Sequence, residues 1–179
     1  MPHISKTNYK RSAQTTVAAV LAAAAAMYVG PTARASSIDV ECVGSFSRTY
    51  SPAITTTPQS ITASEANDYN TCVVGPAATG ADTATLTLAC VNVTAGPATT
   101  ETITWNDATG GTSTISWSPP TVATATVVFT GTVTAGRYVG DSATKVTSGI
   151  SFFAAVAACL LGTPVSSATG LIDSLVLTQ

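Results

Sequence analysis

Residues 84–91 read ATLTLACV, and apolar and hydroxyl side chains alternate from Ala84 to Leu88. Leu86, Leu88 and Cys90 share one register, while Thr85 and Thr87 share the other. Successive side chains leave a strand on opposite faces, so a period of two marks a half-buried β-strand. Similar runs lie on both sides, at 38–43, 60–63, 71–74, 102–105, 114–117, 124–134, 143–147 and 171–178. Thr and Val dominate them, and β-branched side chains suit a pleated surface. Turn residues separate them, including the Pro52 and Pro58 loop and the 107–111 stretch DATGG. Short strands at such regular spacing predict a single all-β domain of about eight strands, an antiparallel sandwich or barrel.

One run departs from the pattern. Residues 150–161 read ISFFAAVAACLL, apolar all round. Periodicity alone leaves a buried strand and a short core helix both open, and Phe152, Phe153 and Cys159 point to the core in either case.

The amino-terminal 35 residues have a different character. Lys6, Lys10 and Arg11 precede an uncharged run of fifteen residues at 15–29, and Ala33-Arg34-Ala35 follows. A basic start, an apolar stretch and a small-x-small site together read as a secretory signal peptide, cleaved after Ala35. A transmembrane helix needs about 20 apolar residues, which this Ala-rich run lacks. Residues 36–179 are then one exported domain, secreted or extracellular.

Cleavage changes the chemistry left to the chain. Three basic residues remain, Arg48, Arg137 and Lys145, against nine acids, for a formal charge of −6. Nucleic acid is bound by clustered Lys and Arg, so it is excluded as a partner, as are anionic membrane surfaces. The one histidine, His3, lies in the signal. Ser-His-Asp and Cys-His catalysis and His-ligated zinc all need an imidazole. No cofactor and no metal site is expected. Cys42, Cys72, Cys90 and Cys159 make an even count in an exported chain and imply two disulfides, with three pairings open.

Several local patterns bear on function. Ser142-Ala143-Thr144-Lys145 matches S-x-x-K, whose Ser must open a helix for the Lys to activate it; this one sits among β residues and reads as a chance match. Glu65 and Asp68 share the stretch EANDYN, read as a polar loop, and Asp39 and Glu41 share a strand face; each pair reads as surface acids. Either could serve a carboxylate-dependent glycoside hydrolase only from a cleft. In the 103–117 hairpin, a turn centred near Gly111 would set Trp105 and Trp117 opposite or diagonal. That face reads as core, with a sugar-stacking platform of Trp105, Trp117, Tyr69 and Tyr138 as the functional alternative. Gly136-Arg137-Tyr138-Val139-Gly140-Asp141 reads as a tight connection in which Arg137 pairs with Asp141. Asn92-Val93-Thr94 is a glycosylation sequon, and the 51–58 loop could present an inhibitory segment to an extracellular protease.

Cys42, Tyr50-Ser51-Pro52, Cys72 and Cys90 around a glycine turn, Ile103-Thr104-Trp105, the 131–141 stretch GTVTAGRYVGD, Ala158-Cys159-Leu160 and the closing apolar strand occur in that order. In these features the chain resembles small secreted actinobacterial proteins of unestablished function. The resemblance implies an immunoglobulin-like β-sandwich and carries no active-site residues. The expected function is that of a non-enzymatic extracellular or cell-surface interaction module for a protein or glycan, with carbohydrate binding by aromatic stacking, or a small hydrolase, as alternatives.

Overall fold

The computed structural model describes residues 36–91, 98–123 and 126–179. The signal-peptide reading, the sequon at Asn92 and the core placement of the Phe152 and Phe153 side chains fall outside what is described. Ser36–Gln179 forms one compact unit.

Nine strands and one helix follow in chain order: β1 (Ile38–Ile54), β2 (Gln59–Val74), β3 (Ala78–Leu88), β4 (Thr99–Trp105), β5 (Thr112–Trp117), β6 (Thr121–Ala123), β7 (Thr126–Gly136), β8 (Ser142–Ser148), α1 (Ile150–Leu160) and β9 (Val165–Thr178). All strand pairings are antiparallel. The order runs β5-β4-β3-β2-β1-β9-β8-β7, and a further pairing of β5 with β7 joins the ends. The result is a closed eight-stranded up-and-down barrel, with β6 as an extra strand on β7.

This closure overturns the expected immunoglobulin-like sandwich. Period-two alternation is the same in a sandwich and a barrel. What separates them is which strands pair at the ends, here β9 with β1 and β5 with β7. Closing the sheet removes its exposed edges, and an open edge is a template for unwanted pairing.

The strands are also longer than the local pattern suggests. β1 runs through Tyr50-Ser51-Pro52, and β2 joins two expected strands across EANDYN, which is strand and not loop. Bulges in β1 near Cys42 to Ser45 let it bend around the barrel. Gly131 sits where Trp117 packs flat against β7; a Cβ there would meet Trp117 Cε3 at 2.9 Å. Residues 150–160 are helical, and a short return through Gly162 leads into β9.

Interior-facing residues form two apolar clusters. One gathers Val40, Tyr69, Ile103, Trp105, Ile115, Trp117, Leu175 and Leu177 around the Cys42 disulfide. The other gathers Tyr50, Ile54, Ile61, Leu88 and Val165 around Cys90 and Cys159. The bridges are Cys42–Cys72 and Cys90–Cys159; the second ties α1 to the end of β3.

Outward-facing positions carry mostly hydroxyl and methyl groups. One cross-strand row reads Ser45, Asp68, Thr79, Thr104 and Thr112; the next reads Ser47, Ala66, Ala81, Thr102 and Thr114. Among the described residues no helix is long and apolar enough to cross a membrane.

Candidate functional site

Between the two apolar clusters the barrel interior holds a belt of charge. Arg48, Glu65 and Asp82 lie directly opposite one another on β1, β2 and β3. Each is set inward by the same alternation that buries Tyr50, Ala63 and Ile61. Glu101 enters from β4 on the register of Ile103 and Trp105, and Lys145 enters from β8 on the register of Ala143 and Thr147. Glu101 is 0 % exposed and Lys145 2 %.

Four members of the belt, Arg48, Glu65, Glu101 and Lys145, are paired with one another. Lys145 Nζ donates to Glu101 Oε2 at 2.9 Å and to Glu65 Oε1 at 3.1 Å. The Arg48 guanidinium pairs with Glu65 Oε2. Glu101 accepts three further hydrogen bonds: Asn67 Nδ2 at 2.8 Å, Tyr69 Oη at 2.6 Å and Trp117 Nε1 at 2.9 Å. Lys145 Nζ also lies 5.3 Å from the Trp117 ring centre and 5.0 Å from that of Phe129, within cation–π range. Gly80 makes room for this arrangement, since a Cβ there would land on Glu101 Oε1.

Protonation follows from these neighbours. Burial alone would raise the Glu65 carboxyl, but the Lys145 and Arg48 charges outweigh it and hold the group at about 2. Asp82 has burial and the Glu65 charge acting together, which push it up to about 6. Burial would lower the Lys145 ammonium, yet Glu101 and Glu65 raise it. Burial first, and then the Glu101 charge, hold the Tyr69 phenol well above its usual range. Paired and hydrogen-bonded in this way, buried charge can persist without water.

The structure redistributes the residues singled out in the sequence. Trp105 and Trp117 are each 2 % exposed and Tyr69 is 0 % exposed, so the tryptophan platform does not exist: a ring that stacks on a sugar must show a face to solvent. Nor do the two indoles face each other. The hairpin pairs Thr99 with Trp117 and Thr104 with Thr112, which centres the turn before Gly111 and puts the indoles at opposite ends of the ladder. Trp105 donates to Ser113 Oγ at 2.9 Å. Tyr138 is half-buried, edge-on to Trp105 at 5.2 Å, with the Arg137 guanidinium 4.8 Å from its ring centre.

Arg137 does not pair with Asp141. It reaches across to Asp107 Oδ2 at 2.6 Å and links the β7–β8 connection to the β4–β5 turn. Asp141 turns inward instead, where burial and the Asp39 carboxylate raise its pKa. Glu65 and Asp68 are three apart on one strand and so point through opposite faces of the wall. The same geometry splits Ser142 from Lys145, exposed outside and buried inside respectively.

A groove of about 910 Å³ crosses the outer wall over β1, β2, β3 and β9, beside the start of α1. Ser45, Ser47, Ala66, Thr79, Thr169 and Leu171 line it. The belt was missed in the sequence because its members are spread over five strands, though one signal was available: Glu101 shares the register of two core residues, Ile103 and Trp105. No family model, no curated protein and no solved structure matches the chain.

Proposed function

We propose that the chain is a secreted, non-enzymatic interaction module that meets a glycan or protein partner in the extracellular space or at the cell surface, through the outer wall of the barrel. The observation that carries this reading is the division of chemistry between inside and outside. Arg48, Glu65, Glu101 and Lys145 are committed to one another inside the wall. The groove outside is floored by small hydroxyl and methyl groups. Such a floor admits a flat polyol or an extended backbone closely and offers hydroxyls for hydrogen bonding. Export is supported by the basic-apolar-small pattern at the amino terminus and by two disulfides, which persist in oxidising compartments.

The test is a glycan array and an insoluble-polysaccharide pull-down with the purified 36–179 chain, beside Ala66→Arg. Ala66 is exposed on the groove floor, so the variant should fold normally and lose retention at least tenfold. No retention on any polysaccharide would remove the glycan arm. Turnover of a labelled polysaccharide by the parent but not by Glu65→Gln would overturn the non-enzymatic reading. Intact mass of the protein recovered from the medium should place its amino terminus at Ser36.

A further inference from the structure

Asn67, Glu101 and Lys145 come from β2, β4 and β8 and meet inside the barrel at 3 %, 0 % and 2 % exposure. A single carboxylate touches the other two: Asn67 Nδ2 on Glu101 Oε1 at 2.8 Å, and Lys145 Nζ on Glu101 Oε2 at 2.9 Å. Asn67 Oδ1 is buried and has no hydrogen-bond partner. Tyr69 and Trp117 hold the carboxylate in place by hydrogen bonds, and the Trp117 and Phe129 rings lie against the Lys145 ammonium. An amine, a carboxamide and a carboxylate able to carry a proton between them are the full set of reactants for an intramolecular transamidation.

We propose that Lys145 and Asn67 condense to an isopeptide cross-link inside the barrel, with Glu101 as the catalytic proton carrier. Lys145 passes a proton to Glu101, which frees the lone pair on Nζ. With Glu101 protonated, a half-turn of the Asn67 carboxamide lets Oδ1 accept that proton, which polarises the carbonyl. Nζ attacks Cγ, the C–O π pair moves onto Oδ1, and the tetrahedral centre collapses as Nδ2 takes a proton from Nζ by way of Glu101. One Nζ–Cγ bond replaces one Cγ–Nδ2 bond, and the nitrogen departs as ammonium, carrying the charge Lys145 brought. Glu101 returns to its ionised form. Nothing is oxidised or reduced, and no co-reactant enters.

General-base and general-acid duty by one group is efficient when both partners are already within hydrogen-bond reach, as they are here. Glu65 also touches Lys145, but an ionised carboxylate is a poor electrophile, and the Arg48 pair keeps it ionised. The bond would join β2 to β8, which are separated in the sheet by β1 and β9. A covalent strut across the lumen would then resist opening of the barrel on that side, independently of the two disulfides.

The test is high-resolution intact mass after reduction and alkylation of protein expressed from the full chain, with the amino terminus assigned from the same spectra. The expected mass is lower than that of the sequence by about 17 Da, one ammonia. A digest should yield a branched peptide joining the Asn67 and Lys145 segments. Lys145→Arg and Glu101→Gln, checked for folding by near-ultraviolet circular dichroism, should both show the full sequence mass. The full sequence mass in the parent protein would overturn the proposal. So would a loss of about 18 Da, which marks a lysine–glutamate amide formed with release of water. A loss of about 17 Da that persists in Lys145→Arg marks an asparagine succinimide and overturns it equally.

Discussion

Lys145 and Glu101 form an ion pair at 2.9 Å in the middle of the barrel, with neither side chain more than 2 % exposed. Lys145 is thereby the one cation between two buried carboxylates on different strands, Glu65 and Glu101. Lys145→Ala leaves both without it, and breaking a buried pair from one side costs about 3–5 kcal/mol. Lys145→Met combined with Glu101→Gln should cost less than the two single changes added together, because the stranded charge is gone. Urea unfolding of the four proteins gives the coupling, which counts the proposed Lys145–Asn67 bond together with the ion pair, and strict additivity would show that neither contributes anything specific.

Two carboxyls in the belt pull stability in opposite directions with pH. Glu65 titrates at about 2 in the fold, below its ordinary value, so its contribution is present above pH ~4.5 and is lost as pH falls towards 2. Asp82 titrates at about 6, above its ordinary value, so the folded state holds its proton more tightly. Stability from that group is full below pH ~4 and declines as pH rises through 6. With these two groups acting together, the melting temperature should peak between about pH 4 and 5. Asp82→Asn should flatten the decline between pH 4 and 6 and leave the acid limb alone. A profile unchanged by Asp82→Asn would place that carboxyl outside the belt's electrostatics.

At Gly80 of β3 an added Cβ would fall on the Glu101 carboxylate and against the Tyr69 ring. Gly80→Ala adds one methyl group at a fully packed contact, and overpacking of that kind costs about 1–3 kcal/mol. It should also push Glu101 off Asn67 or Tyr69, seen as altered near-ultraviolet circular dichroism of the adjacent Trp117. Gly110→Ala is the control for the methyl itself, since open space surrounds that position and only its backbone angle is strained.

Helix α1 carries no acidic residue in its first turn and no basic residue in its last, and it is tied to the barrel by Cys90–Cys159. That bridge closes a span of 69 residues, and removing it with Cys90→Ala and Cys159→Ala should cost roughly 3–5 kcal/mol. Hydrogen exchange should show the α1 amides losing protection ahead of the barrel strands. Equal exchange with and without the bridge would mean that packing on β9 alone holds the helix.

Trp105 and Trp117 are buried with their N–H groups bonded to Ser113 and Glu101. Fluorescence of the native protein should therefore be blue-shifted and resist quenching by iodide. Ready quenching would restore the exposed-platform reading that the fold sets aside.

Much of the interior was legible from alternation. Ile61, Ala63, Glu65, Asn67 and Tyr69 are every second residue of one stretch, and all five face inward. Glu101, Ile103 and Trp105 repeat the pattern on β4. Reading EANDYN as a loop hid the first of these series, because its polar composition resembles a turn while its period is that of a strand. Reading Trp105 and Trp117 as a facing pair depended on where the turn was centred, and the register moved it.

By itself, then, the sequence established the β class, the parity of four cysteines in two bridges, the acidic and histidine-free make-up of residues 36–179 and the inward phase of most strands. These are local or compositional properties, carried by each segment whatever its neighbours are. The tertiary structure decided the rest. Closure through β1–β9 and β5–β7, the choice of Cys42 with Cys72, the helix at 150–160, the turn of Arg137 to Asp107 and the meeting of Asn67, Glu101 and Lys145 all depend on segments far apart in the chain. A period of two says that a side chain faces inward. Only the pairing of strands around the barrel says what it meets there.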